Sequence, residues 1–121
     1  MAKYLADTNI LIDHLRGNVR ATEFLTNKSP AISAVTVAEL IQGCRNLKQL
    51  VQVNTLISSL DVLHIDYPIS SLAIKFVSDL YLSHGLKFLD AVIAATAIKH
   101  KLILKTQDAK HFKFIKSLVV V

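Results

Sequence analysis

The sequence predicts an α/β fold in three layers, a mostly parallel central sheet of about four to five strands with helices on both faces. Three observations carry that expectation. Short apolar stretches of strand length alternate along the chain with longer segments whose apolar residues recur at helical spacing. One of those segments, "FLDAVIAATAIKH", is apolar nearly all the way round, as a helix buried on more than one side must be. Hydrophobic residues make up 52% of the 121 positions and charged residues 19%, enough for one self-supporting core. No repeat, low-complexity tract or Pro/Gly/Ser linker divides the chain, so residues 1–121 are expected to form a single domain.

The elements follow in order. "KYLA" is a short strand ending at Asp7, and "NILIDHLR" sets Leu11, Ile12 and Leu15 at helical spacing before Gly17. A second helix crosses "RATEFLTN". "PAISAVT" reads as strand, and "TVAELIQGC" as helix, with Val37, Leu40, Ile41 and Cys44 on one face. From Leu47 to Leu60 an amphipathic helix precedes the strand "DVLHI", after which "DYP" turns the chain. A helix from about Ser70 to His84 presents Leu72, Ala73, Phe76, Val77, Leu80 and Tyr81, and Gly85 closes it. After "FLDAVIAATAIKH" come the strand "KLILKT", a turn or single helical turn at "DAKHF", and a last strand, "SLVVV".

Composition excludes several classes of function. The single cysteine, Cys44, fits a reducing compartment and a small buried side chain. The N-terminus lacks the apolar core of a signal peptide, and no stretch reaches the ~18 to 20 uncharged residues of a membrane span, so a cytoplasmic location is expected. There is no P-loop, GxGxxG or GxSxG, and three glycines offer little for a phosphate cradle, which sets aside a nucleotide cofactor and serine-hydrolase chemistry. The five histidines share no ligand spacing for zinc. A net charge of +5 is compatible with a polyanionic partner. From Lys99 onward six lysines stand against one acid, Asp108, although a solvated face is the ordinary meaning of such a run.

Four of the nine acids have an unusual placement. Asp7 ends the first strand, Glu39 lies in the helix after the second, Asp90 is in the first turn of the most buried helix, and Asp108 follows "LILKT". The carboxyl ends of parallel strands share one edge, where ligands bind in such folds. Converging carboxylates repel one another and raise their pKa values unless a hard cation joins them, and Mg²⁺ or Mn²⁺ prefers oxygen ligands of this kind. Each acid also has a local explanation: Asp7 as a helix cap, Glu39 as a surface residue, Asp90 as a complement to the helix dipole, Asp108 as a turn former. Their joint position at strand ends favours the metal. With Asp7 committed to an ion, the cap is expected to pass to Thr8 and Asn9.

"LADTNILIDHLRG", "ISAVTVAELIQG" and "GLKFLDAVIAATAIKHKLILKTQDAKHF" together resemble the PIN-domain ribonucleases, in particular the VapC-type toxins of type II toxin–antitoxin pairs, in order and over nearly the whole chain. The resemblance implies a PIN-like fold and an Mg²⁺- or Mn²⁺-dependent endoribonuclease acting on structured RNA and leaving 5′-phosphate and 3′-hydroxyl ends. It matches Asp7, Glu39, Asp90 and Asp108 to the acidic quartet that holds metal and performs catalysis, and Asn9 and Thr106 to polar positions supporting it. It also implies a homodimer and a small cognate antitoxin, with the exposed faces of "VRATEFLTN" and of the helix after Arg45 as candidate contacts. Lys87, Lys105 and Lys110 are the lysines expected to hold RNA. Two positions depart from the pattern: "LKFLD" replaces a frequent Leu-Pro pair before the third acid, and Gln107 stands where Arg is common. Alternatives are a PIN ribonuclease with a housekeeping role in RNA processing, a phosphoreceiver-like regulatory domain and a catalytically inactive interaction module.

Overall fold

Four strands of three residues each form the sheet: β1 (Tyr4–Ala6), β2 (Ala31–Ser33), β3 (Asp61–Leu63) and β4 (Ile103–Lys105). A computed structural model describes all 121 residues. The pairings are parallel and the order is β3-β2-β1-β4, with Leu5 opposite Ala31 and Leu104. From β1 the chain therefore steps two strands one way and then returns to the other side of β1. Right-handed crossovers consequently place helices on opposite faces before and after that reversal.

Strand alternation divides the apolar residues between two cores. Ala6 and Ile32 face α1 (Thr8–Leu15), α2 (Val19–Lys28), α3 (Ala34–Gln42) and α4 (Leu47–Ser58), where they pack with Ile10, Leu11, Leu25, Leu40 and Val53. Leu5, Ala31 and Leu104 face α5 (Tyr67–His84), α6 (Phe88–Lys99) and the C-terminal segment, including Phe112 and Ile115. The three-layer expectation holds.

Helix α6 is the central pillar, with every residue from Ala91 to Ala97 buried. Its alanines let the sheet and α5 approach closely, and the buried Thr96 hydroxyl donates to the Val92 carbonyl at 2.7 Å. Gly85, at φ 70°, supplies the left-handed residue that ends α5, and its N–H reaches the Tyr81 carbonyl at 2.7 Å.

Three boundaries differ from the sequence expectation. The second strand is shorter because Ser33 already caps α3, accepting from the Val35 N–H at 3.0 Å. "DYP" opens α5 instead of turning away: Asp66 accepts from the Ile69 N–H at 3.0 Å and Pro68 occupies the first turn. The buried face of α5 is then Ile69 and Ala73, flanked by Leu72, Phe76, Val77 and Leu80, while Tyr81 is 52% exposed. "SLVVV" contributes a single parallel bridge, Leu104 to Val120, with the Leu104 N–H donating to Val119 and the Val121 N–H to Leu104, both at 2.9 Å.

Candidate metal centre

Where the strand order reverses, the carboxyl ends of β1 and β4 lie side by side, and Asp7 and Thr106 are the residues that follow them. The Asp7 N–H extends the ladder to the Lys105 carbonyl at 2.9 Å. Its carboxylate, 8% exposed, accepts from the Thr8 N–H through Oδ1 at 2.8 Å and from the Thr106 hydroxyl through Oδ2 at 2.7 Å. Asp7 therefore remains the N-cap of α1, contrary to the expectation that Thr8 and Asn9 take over. Its extended backbone, φ −70° and ψ 159°, lets one carboxylate meet both the helix start and the neighbouring strand end.

The half-buried Glu39 is held from α3 by a threonine relay. Thr8 Oγ1 donates to Glu39 Oε1 at 2.6 Å and lies 3.0 Å from Thr36 Oγ1. Because Thr8 has one hydroxyl proton and Glu39 takes it, the buried Thr36 hydroxyl donates to Thr8. Asp90 stands half-buried in the first turn of α6. Asp108 is exposed; its N–H donates to Thr106 Oγ1 at 3.0 Å and its Oδ1 lies 3.2 Å from His111 Nδ1. Asn9 completes the rim, with Nδ2 3.4 Å from Thr106 Oγ1 and Oδ1 accepting from the Gln107 N–H at 3.4 Å.

The four acids share one electrostatic field. Burial is the first cause raising the Asp7 pKa; hydrogen bonds from Thr106 and Thr8 oppose it, and Glu39 and Asp108 add repulsion. Burial also leads in raising Asp90, followed by repulsion from Asp7 and Glu39; His111 works against the rise and Asp108 adds to it. Like-charged oxygen donors of this kind suit a hard divalent cation. No three acidic, histidine or cysteine side chains close into a coordination shell in this conformation. Asp7 and Glu39 point their oxygens at threonine donors and Asp108 pairs with His111. The residues thus fit a cation in chemistry and in shared field, without a formed ligand cage.

Sequence reasoning treated Thr8 only as a cap, and it missed Thr36 and His111. Thr36 stands three residues before Glu39 on the same helix, a spacing that could have flagged it; His111 follows Asp108 by three. Gln107 donates through its side-chain amide to Asp13, so this position braces α1. Of the three lysines expected to meet RNA, Lys87 and Lys110 are exposed beside Asp90 and Asp108 in sequence. Lys105 instead lays its ammonium 5.8 Å from the centre of the Phe24 ring on α2.

The PIN domain family model matches residues 4–116. The chain belongs to the PIN-domain family. Ribonuclease VapC10 of Mycobacterium tuberculosis, strain H37Rv, is 35% identical to this PIN domain over 119 residues, covering 94% of this chain and 89% of the relative. Among solved structures, a toxin–antitoxin complex from Klebsiella pneumoniae superposes with a TM-score of 0.82 at 32% identity, covering 98% of this chain and 95% of that one. DNA-bound VapBC from Salmonella typhimurium gives 0.86 at 26% identity, covering 100% and 98%. The family expected from the sequence is thereby established.

Proposed function

We propose that this PIN domain is a divalent-metal-dependent endoribonuclease and the toxin of a toxin–antitoxin pair. The observation that carries the chemistry is the placement of Asp7 and Asp90 at the strand-order reversal, where burial first and then repulsion from Glu39 and Asp108 raise both carboxyls. Likeness to a VapC ribonuclease and to VapBC complexes supports the substrate class and the biological role.

In this reading Asp7 and Asp90 are the principal ligands of Mg²⁺ or Mn²⁺, Glu39 completes the site directly or through water, and Asp108 holds a water or a second ion. When bound, the cation neutralises the phosphodiester, lowers the pKa of water and stabilises charge in the transition state. Thr106 and Thr8 fix the Asp7 oxygens. The Thr36–Thr8 relay occupies Glu39 Oε1, leaving Oε2 to orient the attacking water and take its proton. Asn9 positions Thr106, and Lys87 and Lys110 hold the RNA backbone beside the acids, with Lys105 giving weaker help because of its place over Phe24.

The reading includes a cytoplasmic location, a homodimer and a cognate antitoxin. A groove between α1, α3 and α4 runs from Glu39 past Ile12, Leu15 and Cys44 to Arg16 and Arg45, a surface suited to an amphipathic antitoxin segment. Tyr67, Ile74 and Tyr81, exposed at seven-residue intervals on α5, support the homodimer. The deciding experiment is RNA cleavage with Mg²⁺ or Mn²⁺ by the wild type, Asp7→Asn and Asp90→Asn. Both folded variants are expected to lose activity at least a hundredfold; cleavage at the wild-type rate would overturn the assignment.

A further inference from the structure

The fold gathers cations on the edge opposite the acids. Lys3 immediately precedes β1, and its carbonyl accepts from the Ile103 N–H at 2.9 Å, so it stands beside the start of β4. Lys99, His100 and Lys101 form the tight link into that strand, closed by the Leu102 N–H on the Ala97 carbonyl at 2.8 Å. Lys116 precedes the tail that pairs beside Leu104. On the other flank, Lys28 ends α2 with its ammonium 6.0 Å from the centre of the Tyr4 ring, at the first residue of β1.

Strands are spaced about 4.8 Å apart, so the positions before β1, β4 and the tail make a row of positive charge along the lower rim. All five lysines are exposed and none pairs with a carboxylate; the protein's one lysine–carboxylate pair is Lys75–Asp79. Lys101 adopts φ 57°, a left-handed conformation in which Gly or Asn is at ease.

We propose that this rim is a second RNA-binding surface, one that grips backbone phosphates away from the cleavage groove. The lysine row lies on the β1–β4 side of this edge, two strands away from its one acid, Asp61 at the start of β3, and matches a polyphosphate chain better than a mixed protein surface, where charges of both signs are the rule. Asp7 lies four residues beyond Lys3 along β1, about 13 Å at strand rise. A folded RNA seated in the groove can touch both edges at once, whereas a dinucleotide, with its single phosphodiester, is too short to cover that height. The inference rests on the ribonuclease reading for the identity of its ligand.

The test compares Lys3→Gln/Lys101→Asn/Lys116→Gln with a charge-matched control, Arg20→Gln/Lys48→Gln/Lys75→Gln, each placed in the Asp7→Asn background for binding. Asn at position 101 tolerates the left-handed backbone, and thermal melts check folding. Fluorescence anisotropy with a folded RNA hairpin is expected to show at least tenfold weaker binding by the rim variant, with the slope of log K on log salt reduced by about two to three. The control is expected to stay within about threefold, and a dinucleotide, too short to reach from the groove to the rim, to bind equally to all three proteins. Equal hairpin affinity for the rim variant and the control overturns the proposal. Failure of the wild type to cut any RNA with Mg²⁺ or Mn²⁺ would count against the nuclease reading alone, because the binding comparison still decides the rim.

Discussion

Asp7 has three duties that pull on its protonation state. It caps α1, accepts from Thr106 across the strand-order reversal, and sits buried among other acids, with burial the first cause of a folded pKa above 3.8. Asp90 is raised as well, again with burial first. A carboxyl raised in the folded state contributes stability that is complete below 3.8 and is lost as pH rises through the raised value. Without metal, the protein is therefore expected to forfeit stability through these two groups in the window that opens above pH 3.8 and closes once both folded-state carboxyls are ionised. The difference in Tm between Asp7→Asn and wild type should shift in the variant's favour as pH rises across that window. A difference that stays constant with pH would remove the buried, raised Asp7 from the picture. The threonines give a second comparison at this scale. Thr96 bonds only within its own helix, so Thr96→Val is expected to change stability by less than about 1 kcal/mol. Thr8→Val strips Glu39 of its donor and leaves the Thr36 hydroxyl without its acceptor, which should reduce kcat on RNA by about tenfold or more while the fold survives.

At the scale of elements, α6 links packing to the site. Its first turn places Asp90, and the buried run from Ala91 to Ala97 leaves that turn little freedom to move. Ile93→Ala removes a side chain that is 2% exposed and is expected to cost about 2–5 kcal/mol in urea denaturation. Gly85→Ala, at φ 70° with open space around the new methyl, should cost only about 1 kcal/mol, because the strain is confined to the backbone. A larger loss would mean that the α5–α6 turn has a packing role its surroundings do not reveal. Element identity was legible in the sequence because α6 is apolar all round and the strands are short apolar runs between amphipathic helices. Boundaries were less legible. A side-chain cap decides them, and "ISAV" and "DYP" read equally well as strand or turn until Ser33 and Asp66 are seen accepting helix N–H groups.

Across the whole molecule, charge is unevenly divided between the two edges: four acids gather where the strands end, while lysines line the edge where β1 and β4 begin, with Asp61 alone among the acids opening a strand there, at β3. The acids were visible in the sequence because parallel strands bring their carboxyl ends together, so Asp7 and Asp108 become neighbours through strand order alone. The relay through Thr8 and Thr36 was not visible, since hydroxyl contacts between helices depend on side-chain directions that no periodicity encodes. The lower rim was visible only as a lysine run, without the adjacency that Lys3 and Lys28 gain from pairing and packing. The same sorting makes a cation's effect on stability a test of the acidic edge. An ion binding only the folded chain at a hundredfold excess over its Kd adds about 2.7 kcal/mol. For a domain of this size that corresponds to a rise in Tm of about 10 °C. Mn²⁺ is expected to produce a rise of that order near neutral pH and progressively less as Asp7 and Asp90 take up protons, since bound protons compete with the ion. Asp7→Asn and Asp90→Asn should each abolish most of the rise. Equal Mn²⁺ stabilisation of the wild type and both variants would place the ion elsewhere on the protein and separate the shared field of these acids from any metal function.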